Sequence, residues 1–548
     1  MKKGTKLTAI IASLLCVVLI AGCGGGGNKA VIKSDMPLSD VNEFPIVEEP
    51  VTLSMFAVKN PYIEDFATND FTKFYEEKTN VHIEWNVATG DTTQAFNLML
   101  ASGEYNDMVM EIGLSKASML DYAEQGILMD IKPYIDEHGY YIKEMFEEAP
   151  AIPNDLTMDG AIYGLPKVTE SYRYEYKEKM WVYKPWLEKL GIAMPETTED
   201  FYQMLKAFKE KDPNGNGIAD EIPLAARGVK DNHGIEPFIM SAFIPTLSTR
   251  VYVDDKDKVQ FVAVQPEYRE GLRYLNKLYK EGLLYSDTFI LDRAQIMSIG
   301  ENDPVILGAG PGMFPGMFTI SNGNSQRYYE YVAIPPLEGP EGVRAAAKAP
   351  NTYKGNFMVT TDCQNPDIAI KWVDWFYSAE GKSKSQATVT SGANEKRPAR
   401  EGELSYNGQQ AKWAIDKVEN KASDDAGMTH NRSWQNFGVY YSSFEDSFNT
   451  CNYNDILDPH HEWYNAYAAH DKYKTEIYLG DLVIPSEDIA EYNDIKTALN
   501  DVEVSFASFV IGDLSLDNDW DTYVANLEKL GLSRYLEILQ NAYDASKN

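Results

Sequence analysis

"VTLSMFAVKNP" (residues 51–61), followed by "DFTKFYEEKTNVHIEWNVA" (residues 70–88), is the stretch whose reading decides the fold. The first phrase alternates and carries β-branched residues, which marks a strand. In the second, Phe71, Phe74 and Tyr75 share one face of a helix, and a strand follows around Val81 to Val87. The plan repeats in "TTQAFNLMLASGEYNDMVMEI" (92–112): a helix, a turn at Gly103, then a short strand from Met108 to Ile112. Strands that alternate with helices predict an α/β lobe built on a mostly parallel sheet.

The same alternation continues downstream. "MLDYAEQGILMDIKPYI" (119–135) is a helix stopped near Gly126, and "DGAIYGLPK" (159–167) reads as a hairpin and exit. "MWVYKPWLEKLGI" (180–192) opens a second α/β segment, with Pro185 suited to a first helical position and Gly191 to the position after the helix end. "TTEDFYQMLKAFKEKD" (197–212) is a further helix, N-capped by Thr197, with Phe201, Leu205 and Phe208 on one face. "YKGNFMVTTDCQNPDIAIKWVDWFYSAEG" (353–381) supplies a strand, an Asn365-Pro366 turn and a helix closed by Gly381, and the last 70 residues read as helical.

The ends and the composition bound the function. Lys2, Lys3 and Lys6 precede an apolar run from Leu7 to about Ala21, too short and wrongly flanked for a spanning helix but apt for a secretory segment. It ends in Ile20-Ala21-Gly22-Cys23, which resembles the lipobox of bacterial lipoproteins. That resemblance implies cleavage before Cys23, more than one acyl chain (palmitate among them) on its thiol, and a place on the extracellular face of the cell membrane. Residues 23–50, with four consecutive glycines, read as a flexible tether. Loss of residues 1–22 removes three lysines and no acid, so the formal charge deepens from −33 to −36. Such a charge excludes nucleic acid as the main partner, because phosphate binding rests on Lys and Arg. Cys363 and Cys451 are the remaining cysteines besides Cys16 of the leader, and sequence does not decide whether they pair.

Enzyme signatures are missing from the sequence. "HHEW" is not H-E-x-x-H, "GAGPGMFPG" lacks the Lys-Ser/Thr of a phosphate loop, and no G-x-S-x-G elbow occurs, so no catalytic residue is assigned. "KDPNGNGIADEIP" (211–223) is more informative. Asp212, Asn214, Asn216 and Gly217 satisfy the opening of an EF-hand loop, but Pro223 stands where its bidentate Glu belongs. Asp220 and Glu221 bring carboxylates earlier instead. Spacing alone admits a Ca²⁺ cage or a solvated Asn-Gly turn.

Five phrases then line up in order: "YAEQGILMDIKPYI", "DGAIYGLP", "KDPNGNGIADEIP", "NPDIAIKWVDWFYSAEG" and the tail "LDNDWDTYVANLEKLGLSRYLEILQNAYD". Together they resemble the family 1 extracellular solute-binding proteins, and in particular the large lipoproteins of carbohydrate ABC importers that are similar to alginate-oligosaccharide-binding proteins. The resemblance runs from about residue 50 to 548. It implies a two-lobed, periplasmic-binding-protein-like α/β fold of class II type, each lobe a mostly parallel sheet flanked by helices, with a helical C-terminal region. The expected division is residues 51–165 and 356–430 in lobe 1, and 166–355 and 431–548 in lobe 2. The implied function is capture of a sugar or oligosaccharide by hinge closure and delivery to the permease subunits of an ABC importer, by a monomer. Rival readings are a sugar sensor or adhesin without transport, and a surface polysaccharide-degrading enzyme. By the same resemblance the 212–221 loop holds a structural Ca²⁺ through Asp212, Asn214, Asn216, the carbonyl of Ile218, Asp220 and Glu221.

Sugars present flat C–H faces and hydroxyl rims, which aromatic rings, carboxylates and amides match. Nine Trp and 35 Tyr supply many candidates. Trp372 and Trp375 on one helix, with Trp181, Trp186 and Trp520, read as packing. The expected ligand contacts lie where strands end or lobes meet: Asn60, Tyr62, Glu111, Tyr172, Arg173, Tyr174, Phe314, Trp434 and Trp463.

Overall fold

Asn69 accepts from the backbone N–H of Phe71 and so starts a helix, and Asn80, left-handed at φ 57°, ends it. These two residues place α1 (Asp70–Thr79) between β1 (Val51–Val58) and β2 (Val81–Ala88). Asp91 caps α2 (Thr92–Ser102), left-handed Gly103 closes it, and β3 (Met108–Leu114) follows. β1 runs parallel to both β2 and β3, as the alternation predicts. α3 (Lys116–Glu124) leaves the end of β3. The structure is a computed structural model describing residues 32–547, apart from 159, 171–174, 178, 229–233, 248, 321–326, 349–352, 387–396, 406–407, 416–428, 444, 447–449, 453–468, 476–478 and 481.

The short strand β4 (Val168–Thr169) carries the chain toward a second sheet made of β5 (Met180–Tyr183), β6 (Ile222–Leu224), β7 (Leu307–Pro311) and β8 (Tyr331–Ile334). Two helices lie between β5 and β6. α4 (Lys184–Leu190) begins with Pro185 and ends at left-handed Gly191. α5 (Thr198–Glu210) starts on a capping box between Thr197 and Asp200, worth about 1 kcal/mol. Its apolar face buries Phe201, Leu205 and Phe208 completely.

The chain returns to the first sheet as β9 (Gly355–Val359) and α6 (Pro366–Asp374). β10 (Tyr441–Ser442) then pairs in parallel with β4, so two passages of the chain lie side by side. Another passage is braced where Ala346–Ala347 pair with Lys474–Thr475. Finally α7 (Ser486–Ala498), α8 (Asp501–Ile511), α9 (Trp520–Lys529) and α10 (Leu532–Ser546) add Phe506, Phe509, Trp520 and Leu539 to the second core.

Three expectations need correction. The second sheet, ordered β8-β5-β7-β6, is mixed: β5 is antiparallel to both neighbours and only β6 and β7 are parallel. β5 begins at Met180, opposite Pro311 and Ile334, where its neighbours end. A strand that carries the chain in from the other lobe starts at the interlobe edge and must run against the strands that finish there. β9 enters the first lobe in the same way and is antiparallel to β3.

Residues 32–50, expected as part of a flexible tether, lie along the first lobe. The Ile32 N–H donates to the Tyr134 hydroxyl at 2.9 Å, and the Ser34 N–H to Asp367 at 2.9 Å. Lys371 donates to the carbonyls of Ser39 and Asp40, and Ile46 and Val47 are buried in the first core. Residues 431–441, expected in lobe 2, belong to that same core through Trp434, Phe437, Val439 and Tyr441. Their apolar side chains complete an aromatic cluster with Phe71, Tyr75, Trp372 and Phe376. Trp372, Trp375, Trp181, Trp186 and Trp520 are packing residues, each buried. Cys363 is a free, buried thiol, pushed up to about 12 by burial. Among the described residues no helix is long and apolar enough to cross a membrane.

Candidate functional site

β3 is fully buried through Met110 and half-buried from Glu111 onward, so the strand leaves the core at that residue. Glu111 has φ 67°, a left-handed conformation that costs a non-glycine residue about 1 kcal/mol or more. Its carboxylate accepts from the Lys167 ammonium at 2.9 Å. Lys167 also donates to the Asn436 carbonyl at 2.9 Å, and its Nζ stands 5.6 Å from the Tyr440 ring. Asn60, at the end of β1, donates to the same Asn436 carbonyl at 3.3 Å and accepts from the Tyr62 N–H at 2.8 Å. The Asn356 side chain accepts from the Lys167 N–H at 3.4 Å, which ties in the start of β9.

The result is a polar cluster at the ends of β1 and β3, where chain passages between the sheets converge. Burial raises the Glu111 carboxyl above its ordinary value, partly opposed by Lys167. With side chains 17% and 22% exposed, the pair is screened from water yet reachable from one side. Such an array offers oxygen acceptors and amide donors to hydroxyl groups.

The structure brings together three of the expected contacts, Asn60, Tyr62 and Glu111. Phe314 lies in the second lobe, half-buried, with its ring edge-on to Tyr328 at 6.4 Å. Trp434 is not placed for a ligand: it is 1% exposed, its Nε1 donates to Thr72, and its ring stacks on Phe376 at 5.3 Å. Tyr172, Arg173, Tyr174, Trp463 and Cys23 lie outside the described residues. Sequence reasoning missed Lys167, Asn356, Asn436 and Tyr440. Lys167 closes the Gly-Leu-Pro exit and Asn356 sits in "YKGNF", so both lay beside passages that were legible.

The acidic loop joins α5 to β6. Asp212 is left-handed at φ 42° and accepts from the N–H groups of Gly215 and Gly217, themselves at φ 79° and 74°. The amides of Asn214 and Asn216 donate to Asp220 at 2.9 and 3.0 Å. Glu221 Oε1 is buried and has no hydrogen-bond partner among the described residues. Burial first, then the charges of Asp212 and Asp220, raise the Glu221 carboxyl. Among the described residues no three His, Cys, Asp or Glu side chains form a ready metal cluster, so any cation here also needs asparagine and backbone oxygens. The orphaned Glu221 oxygen and the hard oxygen donors fit Ca²⁺.

Residues 70–402 match the family described as bacterial extracellular solute-binding protein. Over its whole length the chain is 27% identical to the fructooligosaccharide ABC transporter substrate-binding protein FusA of Streptococcus pneumoniae, covering 99% of it. It is 23% identical to the lipoprotein LipO of Bacillus subtilis, over 69% of this chain and 71% of that one. Among solved structures it is similar to an EF-hand mutant of Streptococcus pneumoniae FusA in complex with fructo-nystose. The TM-score is 0.72 at 23% identity, covering 91% of this chain and 99% of that one.

Proposed function

The chain belongs to the bacterial extracellular solute-binding proteins, and on that premise we propose that it captures an oligosaccharide between its lobes by hinge closure. It then hands the sugar to the permease subunits of an ABC importer. The observation that carries this reading is the cluster of Asn60, Glu111, Lys167 and Asn436 at the strand ends, set where the chain passes between sheets. Ligands of two-lobed proteins sit at such interfaces, and a relative over the full length binds fructooligosaccharide by its name. Tyr172, Arg173, Tyr174, Phe314 and Trp463 remain proposed contacts. Acyl chains on Cys23 hold the protein at the outer face of the membrane. Its relatives are binding proteins rather than enzymes, and this chain works without turnover.

The 212–221 loop holds a structural Ca²⁺ in this proposal. Asp212, Asp220 and Glu221 would supply carboxylates, Asn214 and Asn216 their amide oxygens, and Ile218 its backbone carbonyl. A relative with a named EF-hand supports this. The ion screens three like charges in ten residues and fixes the start of β6.

A thermal-shift screen of the mature protein against kestose, nystose and a panel of manno- and uronate oligosaccharides tests the function. A true ligand at about 100 times its Kd stabilises by about 2.7 kcal/mol. A panel without any shift, or release of shortened sugar products, overturns the reading. Intact sugar uptake in a deletion strain that has lost a sugar response favours the sensor instead.

A further inference from the structure

A cavity of about 500 Å³ opens on the flank where the first lobe meets the C-terminal helices. Its first-lobe wall is the turn that starts α3, with the hydroxyls of Ser115 and Ser118 3.0 Å apart. The second-lobe wall comes from α7 through Tyr492 and Lys496 and from Asn500 just before α8, over an apolar floor that includes Ile484 and Leu499. Tyr492 stacks on Tyr535 at 5.3 Å and 11°, which fixes the plane of its ring in advance. The side chains of Lys496 and Asn500 make no hydrogen bond to another described residue, although Lys496 Nζ stands 5.5 Å from the Tyr492 ring. None of the strand-end residues lines this cavity.

An orientated ring, an apolar floor and a rim of hydroxyl, amide and ammonium groups match the faces and edges of a sugar. The volume lies within the range of small-molecule sites. Position links it to the first site: Ser115 follows Glu111 by four residues along the chain, at most about 14 Å. We propose that this cavity is a second sugar subsite. It takes the distal units of an oligosaccharide whose central units lie against Asn60 and Glu111, and it makes the protein prefer longer chains. Because its walls come from both lobes, a chain that fills it ties them together. The proposal rests on the binding-protein reading above and adds a length preference to it.

Calorimetric titration of the mature protein with fructo-, manno- and galacturono-oligosaccharide ladders, from tri- to hexasaccharide, tests it. Within the ladder that binds, longer members should bind about ten-fold tighter than the trisaccharide. Ser118→Trp, which fills the cavity from the first lobe, should remove that gain and change trisaccharide affinity by less than about two-fold. Asn500→Ala should weaken only the longer members, which keeps the test open if Ser118→Trp fails to fold. Equal affinity along the ladder, or variants that weaken all lengths alike, overturns the subsite. Absence of binding by every ladder overturns the binding-protein reading instead.

Discussion

Lys167 shows what a single side chain does here and why sequence did not reveal it. It bonds Glu111, 56 positions away, and the Asn436 carbonyl, 269 positions away. No local pattern marks such a junction, because the fold alone brings these three segments together. Glu111 was legible, since it ends a buried run of strand residues. Trp434 misled for the complementary reason: an aromatic in a loop next to a passage looks like a sugar platform, but the first core needs its ring against Phe376. Replacing Lys167 with Met leaves the Glu111 carboxylate half-buried without its cation, and should cost about 2 kcal/mol at pH 7. Glu111 is raised above its ordinary value, so the folded protein holds a proton that the unfolded chain releases. Its contribution to stability therefore falls as pH rises through that range. Urea denaturation of the variant should show a smaller deficit at pH 5 than at pH 7. An equal deficit at both would mean that the pair is not electrostatically important.

At the scale of elements, strand–helix alternation was readable wherever one sheet is built in order, as in β1-α1-β2-α2-β3. The direction of β5 and β9 was not, because each takes its orientation from the passage that delivers it. Periodicity records which face is buried and says nothing about the end from which a strand is entered. The loop between α5 and β6 was readable in its residues, and its expected behaviour follows from Glu221. That carboxyl is raised by burial and by Asp212 and Asp220. Without cation, the loop's contribution to stability should decline as pH rises through this range, because the native state binds more protons than the unfolded one. Saturating Ca²⁺ should reverse the slope and raise the melting temperature near pH 7 by about 5 °C. Melting curves from pH 4.5 to 7.5, with Ca²⁺ or with chelator, check this; parallel curves would remove the ion from the loop.

For the whole molecule, two sheets joined by several passages were expected from the family resemblance rather than from periodicity. The side-by-side β4 and β10 lie among those passages. The ordered segment 32–50 adds a mechanical consequence. It bonds Tyr134, Asp367, Lys371 and Asn80, all in elements of the first lobe. From Cys23 to Ile32 is nine residue steps, a leash of at most about 32 Å. With Cys23 acylated as proposed, a dye on Lys132 should transfer energy to a labelled lipid surface more strongly than a dye on Asp257, and inserting a long Gly-Ser segment after Gly27 should erase the difference. Equal transfer from both dyes before insertion would refute this. With that anchor in place, one half of the molecule would be moored to the bilayer while the other rides free, and the proposed closing on a sugar would be a movement of the second lobe relative to the membrane.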